Sequence, residues 1–157
     1  AQLDRFLLRV EMSLPAAEDE LEILRRSVRG ELTGWSAEAS LPAAVTSPEE
    51  AAALRSASRR VHVSEELLAY LGRLAAEVRK APPVELGPSP RGSLALLESA
   101  RGTALLEGRD FVTPDDLKRM LLPCWGHRIL LTAEAELEGH SGPEVLGRVA
   151  ESVEVPH

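Results

Sequence analysis

Cysteine and aromatic residues are scarce in this sequence. The 157 residues include one cysteine, Cys124, and only 3% are Phe, Trp or Tyr. A single cysteine excludes an internal disulfide and favours a reducing compartment, so we predict a cytoplasmic protein. It also leaves no cysteine and histidine spacing typical of a zinc site, and we predict no metal site. With so few aromatic residues, the core must consist of Leu, Ala and Val, and the first two favour helices.

An excess of positive charge and long apolar runs are also missing. The formal net charge of −7 argues against a general binder of nucleic acid or anionic membranes, although a local basic pocket remains compatible with it. No apolar run reaches the length of a membrane span, and Asp4 and Arg5 stand where a signal peptide would be apolar. The composition is that of one globular domain. Because the sequence does not begin with Met, we expect a piece of a longer protein.

Capping signals predict a mostly α-helical fold of about five to six helices with short extended pieces. A Ser or Thr before Pro or an acidic residue marks most starts, because its hydroxyl accepts a backbone N–H and proline fits the first turn. The predicted starts are Pro15, Ser47, Ser64, Ser89, Thr113 and Ser141. We predict a loop over 31–46 and an extended or mixed segment over 128–137. On the helix after Ser89, a 3.6-residue period turns four residues inward: Leu94, Leu97, Ala104 and Leu105.

The segment 8–14 has a different pattern, in which apolar and polar residues alternate. Leu8, Val10, Met12 and Leu14 occupy every second position, which predicts a β-strand. A strand needs a partner, and no partner strand is evident in a helical chain. We therefore expect an orphan strand whose partner strands lie upstream of Ala1.

The segment Gly87-Pro88-Ser89-Pro90-Arg91 predicts an anion site. Ser89 is a good helix N-cap and Pro90 fits the first helical position. Arg91 then lies in the first turn, at the positive end of the helix dipole. Free N–H groups, a dipole and a guanidinium at one point favour phosphate.

Five groups of residues occur in order along the chain. They are Leu3-Asp4-Arg5-Phe6, Val63-Ser64 with Tyr70-Leu71, Leu86-Gly87-Pro88-Ser89-Pro90-Arg91, Gly108-Arg109-Asp110-Phe111-Val112-Thr113-Pro114-Asp115-Asp116, and His127-Arg128. Each is weak or moderate alone, but together they cover nearly the whole chain. In this order they resemble the C-terminal part of a MoxR-type AAA+ ATPase.

The resemblance implies a helical AAA+ lid domain over 16–157 and, over 1–15, a C-terminal stub of the α/β nucleotide-binding core to which the orphan strand belongs. It implies that Arg91 is the sensor-2 arginine, with Ser89, Pro90 and Arg91 near the nucleotide, and that Arg5 is a possible arginine finger. ATP and Mg²⁺ would be cofactors of the intact protein. This sequence has no Gly-x-x-x-x-Gly-Lys-Ser/Thr loop and no strand ending in an acidic pair, so we expect neither cofactor binding nor ATP hydrolysis by this chain alone.

The resemblance also implies an assembly and a task. The intact protein would form a ring, a hexamer, whose ATP-driven lid motion remodels or matures partner proteins in the manner of a chaperone. Partners with a von Willebrand factor A-type domain would be expected, and neither nucleic acid nor membrane.

Several alternatives remain open from the residues alone. Arg91 could be a surface arginine that covers apolar neighbours with its stem, and Arg5 an exposed charge on a frayed terminus. Asp115 and Asp116 are explained by helix capping rather than by a paired-carboxylate site. His127 and Arg128 could hydrogen-bond across the domain or transmit lid movement. The whole chain could be a free-standing helical interaction module without a nucleotide role, or the lid of a magnesium-chelatase-like subunit.

Overall fold

The computed structural model describes residues 3–31 and 43–156 and confirms a mostly α-helical fold. A 3-10 turn and two short strands accompany seven α-helices in these residues. In chain order the elements are a 3-10 turn at Leu3–Arg5, α1 at Ala17–Val28, α2 at Pro48–Arg60, α3 at Glu65–Lys80, β1 at Val84–Leu86, α4 at Pro90–Leu106, α5 at Pro114–Trp125, β2 at Leu130–Leu131, α6 at Ala133–Leu137 and α7 at Gly142–Ser152.

The predicted helix starts agree with these bounds to within two residues. Ser64 accepts from Leu67 N at 3.2 Å, and Ser47 exchanges hydrogen bonds with Glu50 as a capping box. The one described helix without a predicted start is α6, which lies in the segment 128–137 that was predicted as extended or mixed. Its cap is Thr132, whose hydroxyl accepts from Ala135 N at 3.2 Å. The loop predicted over 31–46 lies mostly outside the described residues.

The chain divides into two compact units, one of Ala1–Val10 with Ala52–His157 and one of Glu11–Ala51. The predicted division into a core stub over 1–15 and a lid over 16–157 stays a prediction. In the described part of the smaller unit, α1 is amphipathic in sequence but buries none of its residues. None of the described helices combines enough length and apolarity to cross a bilayer.

The core of the larger unit lies between α3, α4, α5 and α7. Its largest fully buried side chains come from all four helices: Tyr70, Leu74, Leu96, Leu117, Trp125 and Leu146. As the composition requires, most of the core is aliphatic.

The inward face predicted for α4 is partly wrong. Ala104 is buried and Leu97 and Leu105 pack against the core, but Leu94 is 61% exposed. The face that α4 buries instead carries small residues, among them Gly92, Ala95, Ser99 and Ala100. Small side chains let α5 approach α4 closely, and Leu94 is turned away as a result.

Extended segments join distant parts of the larger unit. The strands β1 and β2 pair antiparallel, with Val84 opposite Leu131. His62 and Phe111 pair as an isolated parallel β-bridge. Each of these residues lies in a short extended piece, a feature that was predicted. These pairings hold the chain before α4 and before α5 against its neighbours.

The β-strand predicted over 8–14 is not formed. The segment has no regular secondary structure, and Val10, Met12 and Leu14 are exposed. An alternating pattern yields a strand only where another strand accepts its hydrogen bonds, and no described residue does so here. Instead, Arg9 N donates to Pro123 O at 2.8 Å, and Leu8 packs against the core.

Candidate functional site

The site is built around the first turn of α4, where the sequence predicts an anion site. Ser89 has extended backbone angles and its Oγ accepts from Gly92 N at 3.2 Å, as expected of an N-cap. Pro90 follows at the first helical position. Arg91 is exposed in the first turn. The predicted local geometry is therefore confirmed, although the role of these residues toward a nucleotide stays a prediction.

A carboxylate of the chain itself lies at this helix end. The Ser89 hydroxyl donates a hydrogen bond to the Asp4 carboxylate, and its Oγ lies 3.1 Å from both Oδ1 and Oδ2. A negative charge is favourable beside a helix N-terminus. The helix end was expected to bind the negative charge of a phosphate. In the structure the carboxylate of Asp4 is bound there instead, through the Ser89 hydroxyl.

Arg128 holds the Asp4 segment in place. It is 7% exposed, and its Nε donates to Asp4 Oδ1 at 3.1 Å. Its two terminal nitrogens donate to four backbone carbonyls, those of Asp4 at 3.2 Å, Leu7 at 3.1 Å, Phe6 and Cys124. The planar guanidinium offers five donors in a fixed fork, which matches this set of acceptors.

The structure confirms that Arg128 hydrogen-bonds across the domain. The sequence did not indicate its partner, because Asp4 is far away along the chain and no spacing rule connects the two. The Leu3-Asp4-Arg5-Phe6 and His127-Arg128 motifs were singled out separately, and neither predicted the contact between them.

His127 is next to this network and is neutral at pH 7. Burial lowers the pKa of its imidazole below the ordinary value, and the positive charge of Arg128 lowers it further. Protonation of His127 would place a second positive charge beside Arg128.

Gly92 and Trp125 fix the packing of Arg128 against α4. A Cβ at Gly92 would lie 3.0 Å from Arg128 Cδ and 3.3 Å from Pro88 Cβ, so any larger residue would have to displace these side chains by a few tenths of an ångström. Trp125 is fully buried, and its Nε1 donates to Gly92 O at 2.9 Å. Trp125 is therefore a core residue.

Arg5 and Arg91 line one open groove on the outer side of this network. Its other lining residues include Leu7, Leu94 and Glu98. Neither guanidinium has a hydrogen bond or an ion pair within residues 3–31 and 43–156. The structure thus brings together the two arginines that the sequence singled out and leaves both available to an external anion.

Asp116 serves the fold, as the capping interpretation predicts. It completes the capping box with Thr113 and forms a bidentate pair with Arg109, with distances of 2.6 and 2.8 Å. Burial alone would raise the pKa of Asp116, but the Arg109 and Thr113 hydrogen bonds outweigh it and lower the pKa below the ordinary value. The described side chains include no group of three His, Cys, Asp or Glu residues placed to hold a metal ion.

Cys124 is buried between α4 and α5. Its thiol contacts Ser99 Oγ at 3.3 Å, and burial raises the pKa of the thiol. A protonated, inaccessible thiol behaves as a small apolar side chain.

Comparison with known proteins identifies the fold around this site. Residues 76–149 match the AAA lid domain family. Over 99% of its length, the chain is 33% identical to the uncharacterized protein YeaC of Bacillus subtilis and 30% identical to the chaperone MoxR1 of Mycobacterium tuberculosis. A crystal structure of a candidate ATPase from Cytophaga hutchinsonii superposes with a TM-score of 0.81 over 99% of the chain, at 26% identity.

Residues 76–149 form an AAA lid domain, and the chain is similar to a MoxR protein over 99% of its length. It spans less than half of each of these proteins, namely 47% of YeaC, 42% of MoxR1 and 48% of the Cytophaga chain. The matched lid region contains α4 with Arg91, and α5 with the His127-Arg128 pair that follows it. Asp4 and Arg5 lie before the matched lid region, and Asp4 contacts that region through Ser89 and Arg128.

Proposed function

We propose that this chain acts as the lid of an ATP-hydrolysing ring protein and that Arg91 contacts the γ-phosphate of ATP. The observation that carries the proposal is the state of the Arg91 guanidinium. It is exposed in the first turn of α4, and no described carboxylate pairs with it. Phosphoryl transfer needs fixed positive charge near the γ-phosphate, and arginine can bind it in a bidentate manner.

The residues present fit one side of an ATP site. The Ser89 hydroxyl is occupied by Asp4 and Gly92, so in this proposal Ser89 and Pro90 set the start of α4 while Arg91 touches phosphate. A phosphate-binding loop and Mg²⁺-binding acids have no counterpart in this sequence. They would come from the nucleotide-binding core of the intact protein, where Mg²⁺ supplies further positive charge.

Arg5 would reach the nucleotide of the neighbouring subunit as an arginine finger. An arginine supplied in trans can change a hydrolysis rate by about 10³ to 10⁵. Arg5 is exposed and shares a groove with Arg91, so its position also permits contact with the same nucleotide. The experiment below separates these two possibilities.

Arg128 would couple the two arginines. Through Asp4 and Ser89, it connects the segment that carries Arg5 to the helix that carries Arg91. Movement of α4 in response to ATP would then move the Arg5 segment, and a ring of six such subunits would use this motion to remodel partner proteins. The chaperone name of the Mycobacterium tuberculosis relative supports this, and partners with a von Willebrand factor A-type domain remain part of the proposal.

The test is ATP turnover by the intact protein carrying Arg91→Ala. We expect a loss of turnover of about 10²-fold or more with the fold intact, because a charged group that stabilises the transition state is removed. Arg148→Ala is the matched control, since Arg148 is an exposed arginine of α7 away from the groove. Near-normal turnover of Arg91→Ala would contradict the proposal.

Mixing two inactive variants tests the role of Arg5. If Arg5 acts in trans, a ring that mixes Arg5→Ala with Arg91→Ala contains sites that have both arginines, and part of the activity returns. If both arginines contact one nucleotide within a subunit, every site lacks one of them and mixing restores nothing.

A further inference from the structure

A second groove continues from the one that holds Arg5 and Arg91. It lies between α2 and α4, has a volume of about 410 Å³, and shares Leu7 and Glu98 with the first groove. Its remaining lining residues are Arg55, Ser58, Arg59 and Arg101. The volume is that of a small-ligand site, about 300 to 1,000 Å³. It admits a few residues of a peptide but no folded domain.

The groove concentrates positive charge in a chain whose net charge is negative. Arg55 and Arg59 are one turn apart on α2, so they share a face and repel each other. Arg101 faces them from α4, and its Nε is buried without a hydrogen-bond partner in the described part of the chain. The three like charges repel one another, so an anion that accepts from their guanidinium groups would be favourable.

This groove is separate from the proposed phosphate contact. Arg101 follows Arg91 by ten residues on α4, which places them about 15 Å apart along the helix axis. One phosphate group at Arg91 cannot also contact Arg101. An occupant of the second groove therefore uses arginines other than Arg91, and the inference does not rest on the proposed function.

We infer that this groove binds an acidic peptide segment of a partner protein. Two or three Asp or Glu side chains would accept from the arginines in the bidentate manner that guanidinium favours. Glu98 also lines the groove, and its exposed carboxylate can accept from the backbone N–H groups of a peptide, donors that a phosphate does not offer. Leu7 offers apolar contact to the stem of a peptide side chain.

Fluorescence anisotropy of a labelled hexaglutamate peptide tests the inference on the 157-residue chain at low salt. We expect saturable binding that weakens with added salt, and no binding of hexaglutamine. Arg55→Gln/Arg59→Gln and Arg101→Gln should each weaken binding about tenfold, because charge-assisted hydrogen bonds are lost. Arg25→Gln/Arg26→Gln removes the same charge as the double variant from exposed positions on α1 and should leave binding unchanged.

Four results would overturn the inference. The first would be that hexaglutamate does not bind. The second would be that the α1 control variant weakens binding as much as the groove variants do. The third would be that inorganic tripolyphosphate binds instead and that the groove variants abolish its binding, which would make the groove a phosphate site. The fourth would be that only Arg91→Gln abolishes hexaglutamate binding, which would place the peptide in the first groove. Circular dichroism of each variant checks the fold, and Arg101→Lys provides a second variant that keeps the charge.

Discussion

At the scale of single residues, Arg128 has the most demanding position in the site. Burying a guanidinium is costly unless every donor finds an acceptor. The carboxylate of Asp4 and four backbone carbonyls meet that requirement. The result is a connection between the end of α5, the start of α4 and the segment that carries Arg5.

Removal of Arg128 should destabilise the chain strongly. We expect Arg128→Ala to lower the free energy of unfolding by about 2 to 4 kcal/mol, because four carbonyls and Asp4 lose their donor. Urea denaturation measures the loss. Arg148→Ala, at an exposed position, should change stability by less than about 0.5 kcal/mol. Equal effects of the two variants would show that Arg128 does not hold the segment in solution.

At the scale of elements, α4 combines two glycines with opposite surroundings. A Cβ at Gly92 would press on Arg128 and Pro88, whereas a Cβ at Gly102 would meet nothing within 4 Å. Both residues lie within the helix. Alanine is favoured over glycine by about 1 kcal/mol in a helix interior, so the difference between the two sites isolates the effect of packing.

The two alanine substitutions should therefore change stability in opposite directions. Gly102→Ala should raise the unfolding free energy by about 0.5 to 1 kcal/mol. Gly92→Ala should lower it, because overpacking costs about 1 to 3 kcal/mol and exceeds the propensity gain. Denaturation of both variants gives the comparison. Stabilisation by both would mean that Arg128 shifts freely, against the tight network described above.

At the scale of the whole molecule, stability should fall on the acid side of neutrality. The pKa of His127 is lowered by burial and by Arg128, and the pKa of Asp116 is lowered by its Arg109 and Thr113 hydrogen bonds despite burial. For both groups, the unfolded state binds more protons than the folded state between the two pKa values. The free energy of unfolding therefore decreases as pH falls through that interval.

Urea denaturation from pH 7.5 down to about pH 2.5 measures this dependence, because the Asp116 contribution is lost mainly below the ordinary carboxylate pKa of about 3.9. Stability should begin to fall near the ordinary histidine pKa of about 6.5 and fall further toward the carboxylate range. His127→Gln should flatten the first part of the profile, and Asp116→Asn the second. An unchanged slope near pH 6 in His127→Gln would show that His127 titrates equally in the folded and unfolded states.

Local features of the chain were predictable because they depend on neighbours a few residues apart. The caps at Ser64, Ser89 and Thr113 follow from hydroxyls that reach backbone N–H groups in the next turn. The strand prediction over 8–14 failed for the complementary reason: a strand is completed by a distant partner, and alternation of residues does not supply one.

The sequence by itself determined the helical class, the starts of six of the seven described helices, the aliphatic core and, through the order of its motifs, the resemblance to MoxR-type lids. Tertiary structure alone decided that Asp4 occupies the N-terminal end of α4, that Arg128 binds the segment carrying Arg5, and that Arg5 and Arg91 share a groove. The physical reason is the separation along the chain over which each kind of interaction acts. Capping and periodicity act within one or two helical turns, whereas Asp4 and Arg128 meet only after α3, α4 and α5 have packed.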